Sequence, residues 1–389
     1  MRTIRRAAVA AATAVAVLFA VPACGPAGGA DRASGLPRSW DELKGWRFED
    51  WDNWASKHVF HNPETGGVWS PETMGDAAPQ QPAPPAVPPS ATAGPESTAA
   101  TGSAVATGTT AAPTATASGA TVAPTPSTGP APAVVQAVAV PRPYTRYAAS
   151  GKVFMTAPNG GTGQCSATVV ADPAHPGRSN LVWTAAHCVH EGQGGDWFKN
   201  IIFVPAYNSS GAAGGGRRAT LPEVAPLGQW WADKVITSPQ WTAEGGHSGN
   251  AANQYDFAVL RVHDPANTER SLEETVGTAV PVWFDAPRDE LTVSAWGYPA
   301  VRPFDGQELD RCDSGRPGQL SFDPKRPAML TIGCTMTAGA SGGGWFATTP
   351  DGRQALVSNT SIGNLDHTSL NGPYLESVAR QALDYLSKK

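Results

Sequence analysis

The string Gly339-Ala340-Ser341-Gly342-Gly343-Gly344 predicts a tight turn around a single serine. A serine in such a turn is a candidate nucleophile, because glycines let the chain bend sharply and let another backbone come close. Gly339 can aim its N–H group, together with that of Ser341, at one point, where the two donors would stabilise an oxyanion. The alternative interpretation is a glycine-rich hairpin that contains a serine by chance. Alone, the motif predicts a nucleophile but not the base that activates it.

The base is predicted by a second string, Thr184-Ala185-Ala186-His187-Cys188, which follows an apolar run. The two alanines let the imidazole turn into a cleft without crowding, and Cys188 would hold this turn from behind. A lone histidine is usually structural, but a five-residue string is far more specific. His247 and Ser248 also stand side by side, but they lie in a polar loop where adjacent side chains would point apart.

A third string, Tyr255-Asp256-Phe257, places an acid at the start of an apolar strand. A carboxylate is costly to bury unless hydrogen bonds satisfy it. Holding the Nδ1–H of His187 would supply one such bond and would stabilise the imidazolium. Asp233 and Asp264 are competing acids, but both lie in loop-like sequence and are predicted to be solvated. The three strings together predict a catalytic triad in the order His, Asp, Ser.

Short apolar runs separated by turn residues recur through residues 142–389 and predict an all-β domain. This spacing favours an antiparallel sandwich or barrel over parallel β-α-β units. One helix is predicted at the C-terminus, starting at Asn371-Gly372-Pro373. The predicted strands are 152–155, 166–170, 181–184, 200–204, 257–262, 291–295 and 355–358.

The first 23 residues have the pattern of a secretory signal peptide. Three arginines precede an uncharged apolar run that ends in Val21-Pro22-Ala23-Cys24. Two processing routes remain open: cleavage after Ala23, or lipidation of Cys24 as in bacterial lipoproteins. Either route predicts an extracellular protein, released in the first case and anchored to the outer face of the cell membrane in the second.

Two segments separate the signal peptide from the β domain. Residues 24–76 contain five tryptophans, and Ser39-Trp40-Asp41-Glu42 offers a helix start. Because so short a segment rarely folds alone, a tail with a weak aromatic cluster is favoured over a propeptide or binding module. Residues 77–141 are Pro/Ala/Thr-rich with Glu96 as their only charge. They bury too little surface to offset the entropy of ordering, which predicts a disordered linker.

Charge and cysteine content exclude several classes of function. The formal net charge is −5 and the basic residues are scattered, so no nucleic-acid partner is predicted. An even number of cysteines remains after Cys24, which predicts two disulfides in an exported protein and leaves three connectivities open. The chain has no Cys-x-x-Cys pair and no His-Glu-x-x-His, so neither a metal nor a cofactor is predicted. The four remaining cysteines are Cys165, Cys188, Cys312 and Cys334.

The sequence resembles the trypsin-like serine peptidases of the chymotrypsin fold through the three strings described above. The bacterial glutamyl-endopeptidase-like branch is indicated by Trp296-Gly297-Tyr298-Pro299 and by the Cys312…Cys334 pair. The resemblance covers residues 142–389. It implies two six-stranded antiparallel β-barrels with the triad between them, and a secreted endopeptidase that acts as a monomer on protein or peptide substrates.

The same resemblance implies the role of each site residue. The catalytic residues would be His187, Asp256 and Ser341, the oxyanion hole would be the N–H groups of Gly339 and Ser341, and the disulfides would be Cys165–Cys188 and Cys312–Cys334.

Two departures from the family concern activation and specificity. Ala340 stands where animal members have an aspartate that pairs with a newly freed N-terminus, so that ion pair is excluded. Glutamate-specific members have a histidine just before the segment that binds substrate backbone, and residues 357–359 offer none. The predicted substrate-binding residues are Ser358 in that segment and Thr335 and Met336 before the nucleophile, without the acid that would select Lys or Arg.

Two alternative hypotheses complete the sequence-based interpretation. Ser341 also matches the nucleophile elbow of α/β-hydrolases, with Asp351 or Asp366 and then His367 in the required order. Such a site needs a parallel sheet, which the pattern of short strands does not predict. The non-enzymatic alternative is a catalytically silent, protease-like scaffold or adhesive module on a stalk. The presence of all three triad residue types favours the enzyme.

Overall fold

The structure is a computed structural model that describes residues 40–84, 132–264, 266 and 268–389. The predicted signal peptide, Cys24 and residues 85–131 of the predicted linker lie outside the described residues. Within the described part of the chain, no helix is long and apolar enough to cross a membrane.

Strands dominate the chain, as the short apolar runs predict. The strands are β1 (Phe60–His61), β2 (Ala78–Pro79), β3 (Val138–Ala139), β4 (Ser150–Thr156), β5 (Thr162–Val170), β6 (Leu181–Thr184), β7 (Lys199–Pro205), β8 (Trp230–Thr237), β9 (Ala258–His263), β10 (Val293–Gly297), β11 (Asp310–Gly315), β12 (Gly318–Leu320), β13 (Met329–Gly333), β14 (Gly344–Thr348), β15 (Gln354–Asn359), β16 (Ile362–Gly363) and β17 (Ser369–Gly372). The α-helices are α1 (Phe48–His58), α2 (Pro71–Gly75), α3 (Leu221–Val224), α4 (Pro239–Glu244), α5 (Leu272–Val276) and α6 (Ser377–Ser387), and 3-10 helices span Trp40–Gly45, Ala186–Cys188, Ala251–Tyr255 and Arg288–Glu290.

Six antiparallel strands close the first half of the domain into a barrel. Their order is β8-β7-β4-β5-β6-β9, and β9 pairs back to β8. Closure leaves no free edge between these strands. Nearly every residue of β4, β5 and β6 is buried, including polar side chains such as those of Lys152, Gln164 and Ser166. The first of the two predicted barrels is confirmed.

The second half consists of two sheets around one apolar core. Their strand orders are β15-β14-β10-β11-β3 and β12-β13-β17-β16, and the described residues do not join the two sheets into one closed ladder. Buried side chains from both sheets form the core, among them Val293, Ile332, Trp345 and Leu370. The Cys312–Cys334 disulfide links β11 to the end of β13 within this core, so this predicted pairing is confirmed.

The C-terminal helix begins later than the sequence predicts. Asn371 and Gly372, expected at its start, belong to β17 and pair with Thr331 and Leu330 of β13. The helix α6 starts at Ser377 and buries most of one face to its end. A glycine and a proline signal the end of one element and the start of another, and here several residues separate the two.

The tryptophan-rich segment packs on the barrel and is not the loose tail that the sequence favours. Its strand β1 pairs with β8, and α1 lies beside α6, where Lys389 Nζ is 2.8 Å from Asp52 Oδ1. The side chains of Trp51, Trp54 and Trp69 are buried. The segment is too small to form a hydrophobic core of its own. Its apolar side chains are instead buried against the surface of the barrel and of α6.

Both ends of the predicted disordered linker lie on the domain. At the N-terminal end β2 runs parallel to β5, and at the C-terminal end β3 pairs with β11. These contacts are made by main-chain groups, which every residue type carries. The low-complexity composition of residues 77–141 therefore does not prevent residues 77–84 and 132–141 from being ordered.

Replacing the buried Trp51 by alanine should lower the free energy of unfolding by about 3–5 kcal/mol, because the lost ring leaves a cavity between the segment and the domain. Urea unfolding followed by circular dichroism measures this loss. Trp46→Ala, at a partly exposed tryptophan of the same segment, is the matched control and should cost clearly less. A loss below about 1 kcal/mol for Trp51→Ala would show that the segment does not contribute to the fold.

Candidate active site

The turn that carries Ser341 packs directly on the first barrel. Ser166 of β5 donates its backbone N–H to the carbonyl of Ser341 at 2.7 Å. Gly342 has a φ of +76°, and a Cβ at this position would lie 2.1 Å from Thr184 Oγ1 and 2.4 Å from the carbonyl oxygen of Ser166. Only glycine fits both the left-handed conformation and this approach. The glycine therefore allows the second half of the domain to place Ser341 beside the middle of β5 and the end of β6.

His187 lies at the same end of the barrel. It belongs to the 3-10 helix Ala186–Cys188, directly after β6, and is almost fully buried. The Cys165–Cys188 disulfide ties this helix to β5, which confirms the predicted pairing. The sulfur atoms of both cysteines lie within 4.8 Å of a ring nitrogen of His187. Because the disulfide uses both thiols, this group offers no thiolate to a metal.

Asp256 is completely buried at the end of the 3-10 helix Ala251–Tyr255, just before β9. Its Oδ2 is 2.7 Å from Nδ1 of His187, and its Oδ1 accepts the backbone N–H of His187 at 2.9 Å. The hydroxyl of Ser361 donates to Oδ2 at 2.6 Å. A carboxylate only accepts, so this contact places the imidazole proton on Nδ1 and leaves Nε2 as the basic nitrogen.

Two buried atoms at this site have no hydrogen-bond partner among the described residues. They are Nε2 of His187 and Oγ of Ser341. An unsatisfied buried polar atom costs roughly 1–3 kcal/mol, and other such atoms occur among the described residues; what distinguishes Nε2 is that Asp256 holds the other nitrogen of the same ring. A basic nitrogen and a hydroxyl, both unpaired in one site, are suited to proton transfer and nucleophilic attack.

Ser361 is a site residue that the sequence-based interpretation missed. It reaches Asp256 across 105 positions of sequence, and its own Oγ accepts from Nδ2 of Asn253 at 3.0 Å. Asn359 also supports the acid: its Nδ2 donates to the carbonyl of Asp256 at 3.0 Å, and its Oδ1 accepts from Nε1 of Trp183. The available signal was the polar run from residue 358 to 361, every member of which is buried.

The predicted oxyanion donors, the N–H groups of Gly339 and Ser341, lie in the same turn. Neither N–H donates a hydrogen bond to the main chain of the described residues. Gly339 has a φ of +100°, and a Cβ here would meet the carbonyl oxygen of Tyr298 at 2.6 Å. The turn therefore requires glycine at this position, and the role of the two donors stays a prediction.

The three predicted substrate-binding side chains make other contacts. Thr335 accepts the backbone N–H of Ala137 through Oγ1, and Met336 is buried in the core of the second half. The hydroxyl of Ser358 donates to the carbonyl of Pro373 at 2.8 Å. The structure thus brings Ser361 to Asp256 and does not bring Ser358 there. A role in substrate binding for these three residues stays a prediction.

The competing acids lie elsewhere. Asp233 pairs with Arg261, whose Nε is 3.0 Å from Oδ1. Asp264 accepts the backbone N–H of Ala266 at 2.8 Å. Asp351, the acid of the α/β-hydrolase alternative, is exposed and pairs with Arg353. That alternative also needs a parallel sheet, whereas the strands that flank Ser341 are paired antiparallel.

Aromatic and imidazole rings line one wall of the site. The ring centroid of Trp241 is 6.2 Å from that of His187, and Nε1 of Trp241 donates to the carbonyl of His190. Burial lowers the pKa of His190 to about 4. This second imidazole is therefore neutral at physiological pH and adds no positive charge beside His187.

Three solved structures that are similar to this chain are described as proteases or as an endopeptidase. A thermostable serine protease from an extremophilic microorganism is 32% identical, with a TM-score of 0.50, covering 63% of this chain and 99% of that one. Protease Anisep from Arthrobacter nicotinovorans is 31% identical, with a TM-score of 0.48, covering 62% and 96%. A Glu endopeptidase is 15% identical, with a TM-score of 0.45, covering 67% and 99%. No family model and no curated protein sequence matches the chain.

Gly342→Ala should destabilise the protein far more than Gly352→Ala, although both glycines have positive φ angles. An added methyl group at Gly352 meets nothing within 4 Å, so only the left-handed backbone costs, about 1 kcal/mol. At Gly342 the clash with the barrel adds about 1–3 kcal/mol. Urea unfolding measures the difference. Equal losses would show that the Ser341 turn is not pressed against the barrel.

Proposed function

The chain belongs to the chymotrypsin-fold serine proteases, and we propose that it is an exported endopeptidase that hydrolyses peptide bonds with His187, Asp256 and Ser341. One observation carries the proposal. The buried carboxylate of Asp256 lies 2.7 Å from Nδ1 of His187, while Nε2 of that ring and Oγ of Ser341 are unpaired within the described residues.

In the first half-reaction, Nε2 of His187 takes the proton of Ser341 as Oγ attacks the carbonyl carbon of the peptide bond. The ring becomes a cation, which the negative carboxylate of Asp256 stabilises. Because Asp256 also accepts from Ser361 and from the backbone of His187, its two oxygens are held in one orientation. The carboxylate therefore holds the ring in the tautomer that leaves Nε2 available to take the proton.

The tetrahedral intermediate carries a negative oxygen, and we assign the N–H groups of Gly339 and Ser341 to it. Collapse of this intermediate transfers the proton from His187 to the leaving amine and leaves an acyl group on Ser341. A water molecule then gives its proton to Nε2 and attacks the acyl carbon, which releases the second product and restores the serine hydroxyl.

Substrate specificity in this proposal does not depend on a buried acid. Thr335 and Met336, the proposed specificity residues, carry no charge that would select a basic side chain. The segment from Ser361 to Gly363 starts at the residue that donates to Asp256 and continues as the strand β16, and we assign it to the binding of substrate backbone.

Export is supported by the two disulfides, since such bonds persist in oxidising compartments. The signal-peptide pattern of residues 1–23 agrees with this. The proposal covers both a released enzyme and one anchored through a lipid on Cys24.

The proposal predicts that a fluorophosphonate probe labels the purified protein at Ser341 and that Ser341→Ala abolishes the labelling. Asp256→Asn should slow labelling by about 10³- to 10⁴-fold, because an amide favours the wrong tautomer of His187. Asp233→Asn is the matched control and should label at the wild-type rate, since Asp233 pairs with Arg261 outside the site. Equal labelling rates for Asp256→Asn and Asp233→Asn would contradict the proposed triad.

A further inference from the structure

Residues 77–84, from the N-terminal end of the predicted linker, pass across the candidate active site. On one side they are fixed to β5. The carbonyl of Ala77 accepts from Nε2 of Gln164 at 2.7 Å, and the backbone N–H of Gln80 donates to the carbonyl of Gln164 at 3.0 Å. Gln164 precedes Cys165, whose disulfide partner Cys188 adjoins the catalytic histidine. This first attachment therefore lies beside the triad.

The second attachment lies on the loop that leads to Asp256. The backbone N–H of Ala83 donates to the carbonyl of His247 at 2.7 Å, and its carbonyl accepts the N–H of Gly249 at 2.9 Å. This loop runs directly into the 3-10 helix Ala251–Tyr255, which Asp256 ends. The segment is thus held on both sides of the site by main-chain hydrogen bonds.

Between the two attachments, the segment covers His187. Gln80, Gln81 and Pro82 line a cavity of about 50 Å³ together with His187 and Trp241. The same segment reaches the other wall of the cleft, because a Cβ added at Gly363 would lie 3.2 Å from Nε2 of Gln81. Gly363 ends the Ser361–Gly363 segment that we assign to substrate backbone.

The burial of the catalytic residues agrees with this coverage. His187 is 7% exposed and Ser341 is 1% exposed, although a hydrolase must bring a substrate carbonyl to both. Ala340 cannot form an activating ion pair with a freed N-terminus, so control by coverage of the cleft would be independent of such a pair.

We propose that residues 77–84 are an autoinhibitory strap that occupies the substrate cleft through main-chain hydrogen bonds, as an extended peptide does when it adds to a strand edge. This inference rests on the proposed peptidase function. The full chain is then a latent enzyme, and a polypeptide substrate gains access when the strap leaves the cleft. Residues 40–76 pack on the domain independently, so a cut within residues 85–131 alone leaves the strap in place.

The test uses the full chain and changes only the strap. Ala83→Pro removes the N–H that donates to His247, and replacement of Gln80, Gln81 and Pro82 by glycine removes the side chains that cover His187. Ala83→Pro should raise the rates of fluorophosphonate labelling and of casein hydrolysis about tenfold, the effect of one lost hydrogen bond of about 1.4 kcal/mol. The glycine variant keeps the main-chain bonds but uncovers His187 and makes the bound strap costlier to order, so it should also raise both rates. Ala112→Pro, the same change within residues 85–131, is the matched control and should leave both rates unchanged.

Hydrogen exchange at the amide of Gly249 reports the position of the strap without requiring activity, because this N–H donates to Ala83. It should be protected in the wild type and exchange faster in both strap variants. Fast exchange in the wild type, or unchanged exchange in both variants, would show that the strap is not bound as described.

The two proposals fail in different ways. Labelling at equal rates in the wild type and in variants whose Gly249 exchange has risen would overturn autoinhibition and leave the peptidase proposal standing. An absence of labelling in every protein, including those with a released strap, would instead overturn the peptidase function and the strap with it.

Discussion

The buried carboxylate of Asp256 sets how the two halves of the domain have to pack together. A fully buried charge is tolerable only with several donors, and no single element of the chain supplies them. His187 contributes two donors from the end of β6, and Ser361 contributes a third from the second half of the domain. Satisfying one acid thus requires the barrel and the second pair of sheets to meet at a fixed place. The candidate active site is the region where they meet.

Close backbone packing is the second requirement, and it explains why the nucleophile lies among glycines. Gly339 and Gly342 each adopt a left-handed conformation against a carbonyl oxygen of a neighbouring segment, where any Cβ would clash. Ser341 is therefore positioned by the absence of side chains at Gly339 and Gly342 and by the hydrogen bond from Ser166 to its carbonyl. Its hydroxyl makes no hydrogen bond within the described residues, so the turn holds the serine while its reactive atom remains unpaired.

In the N-terminal region, a segment whose side chains predict no structure is nevertheless bound at a defined place on the domain. Residues 77–84 are rich in proline and have almost no apolar surface to bury, which is why the sequence predicts disorder. They are nevertheless held at Gln164 and at the loop of His247 by main-chain groups. The pair His247 and Ser248, which the sequence presents as an isolated polar motif, belongs to this attachment. The tryptophans of the preceding segment supply the apolar burial that the strap lacks.

From the sequence alone, the β class could be predicted, and the family resemblance added the closed first barrel. The sequence also identified three strings whose residues the structure places at one end of that barrel. These features follow from local patterns: alternating apolar residues, small residues before a histidine, and glycines around a serine. The disulfide pairing came only from the resemblance, since spacing left three connectivities open. Ser361, the docking of residues 40–76, and the paths of residues 77–84 and 132–141 were decided by the tertiary structure alone. Each depends on hydrogen bonds or packing between positions far apart in the chain, and a local pattern does not specify which positions meet: the polar run of residues 358–361 does not identify Asp256 as the partner of Ser361.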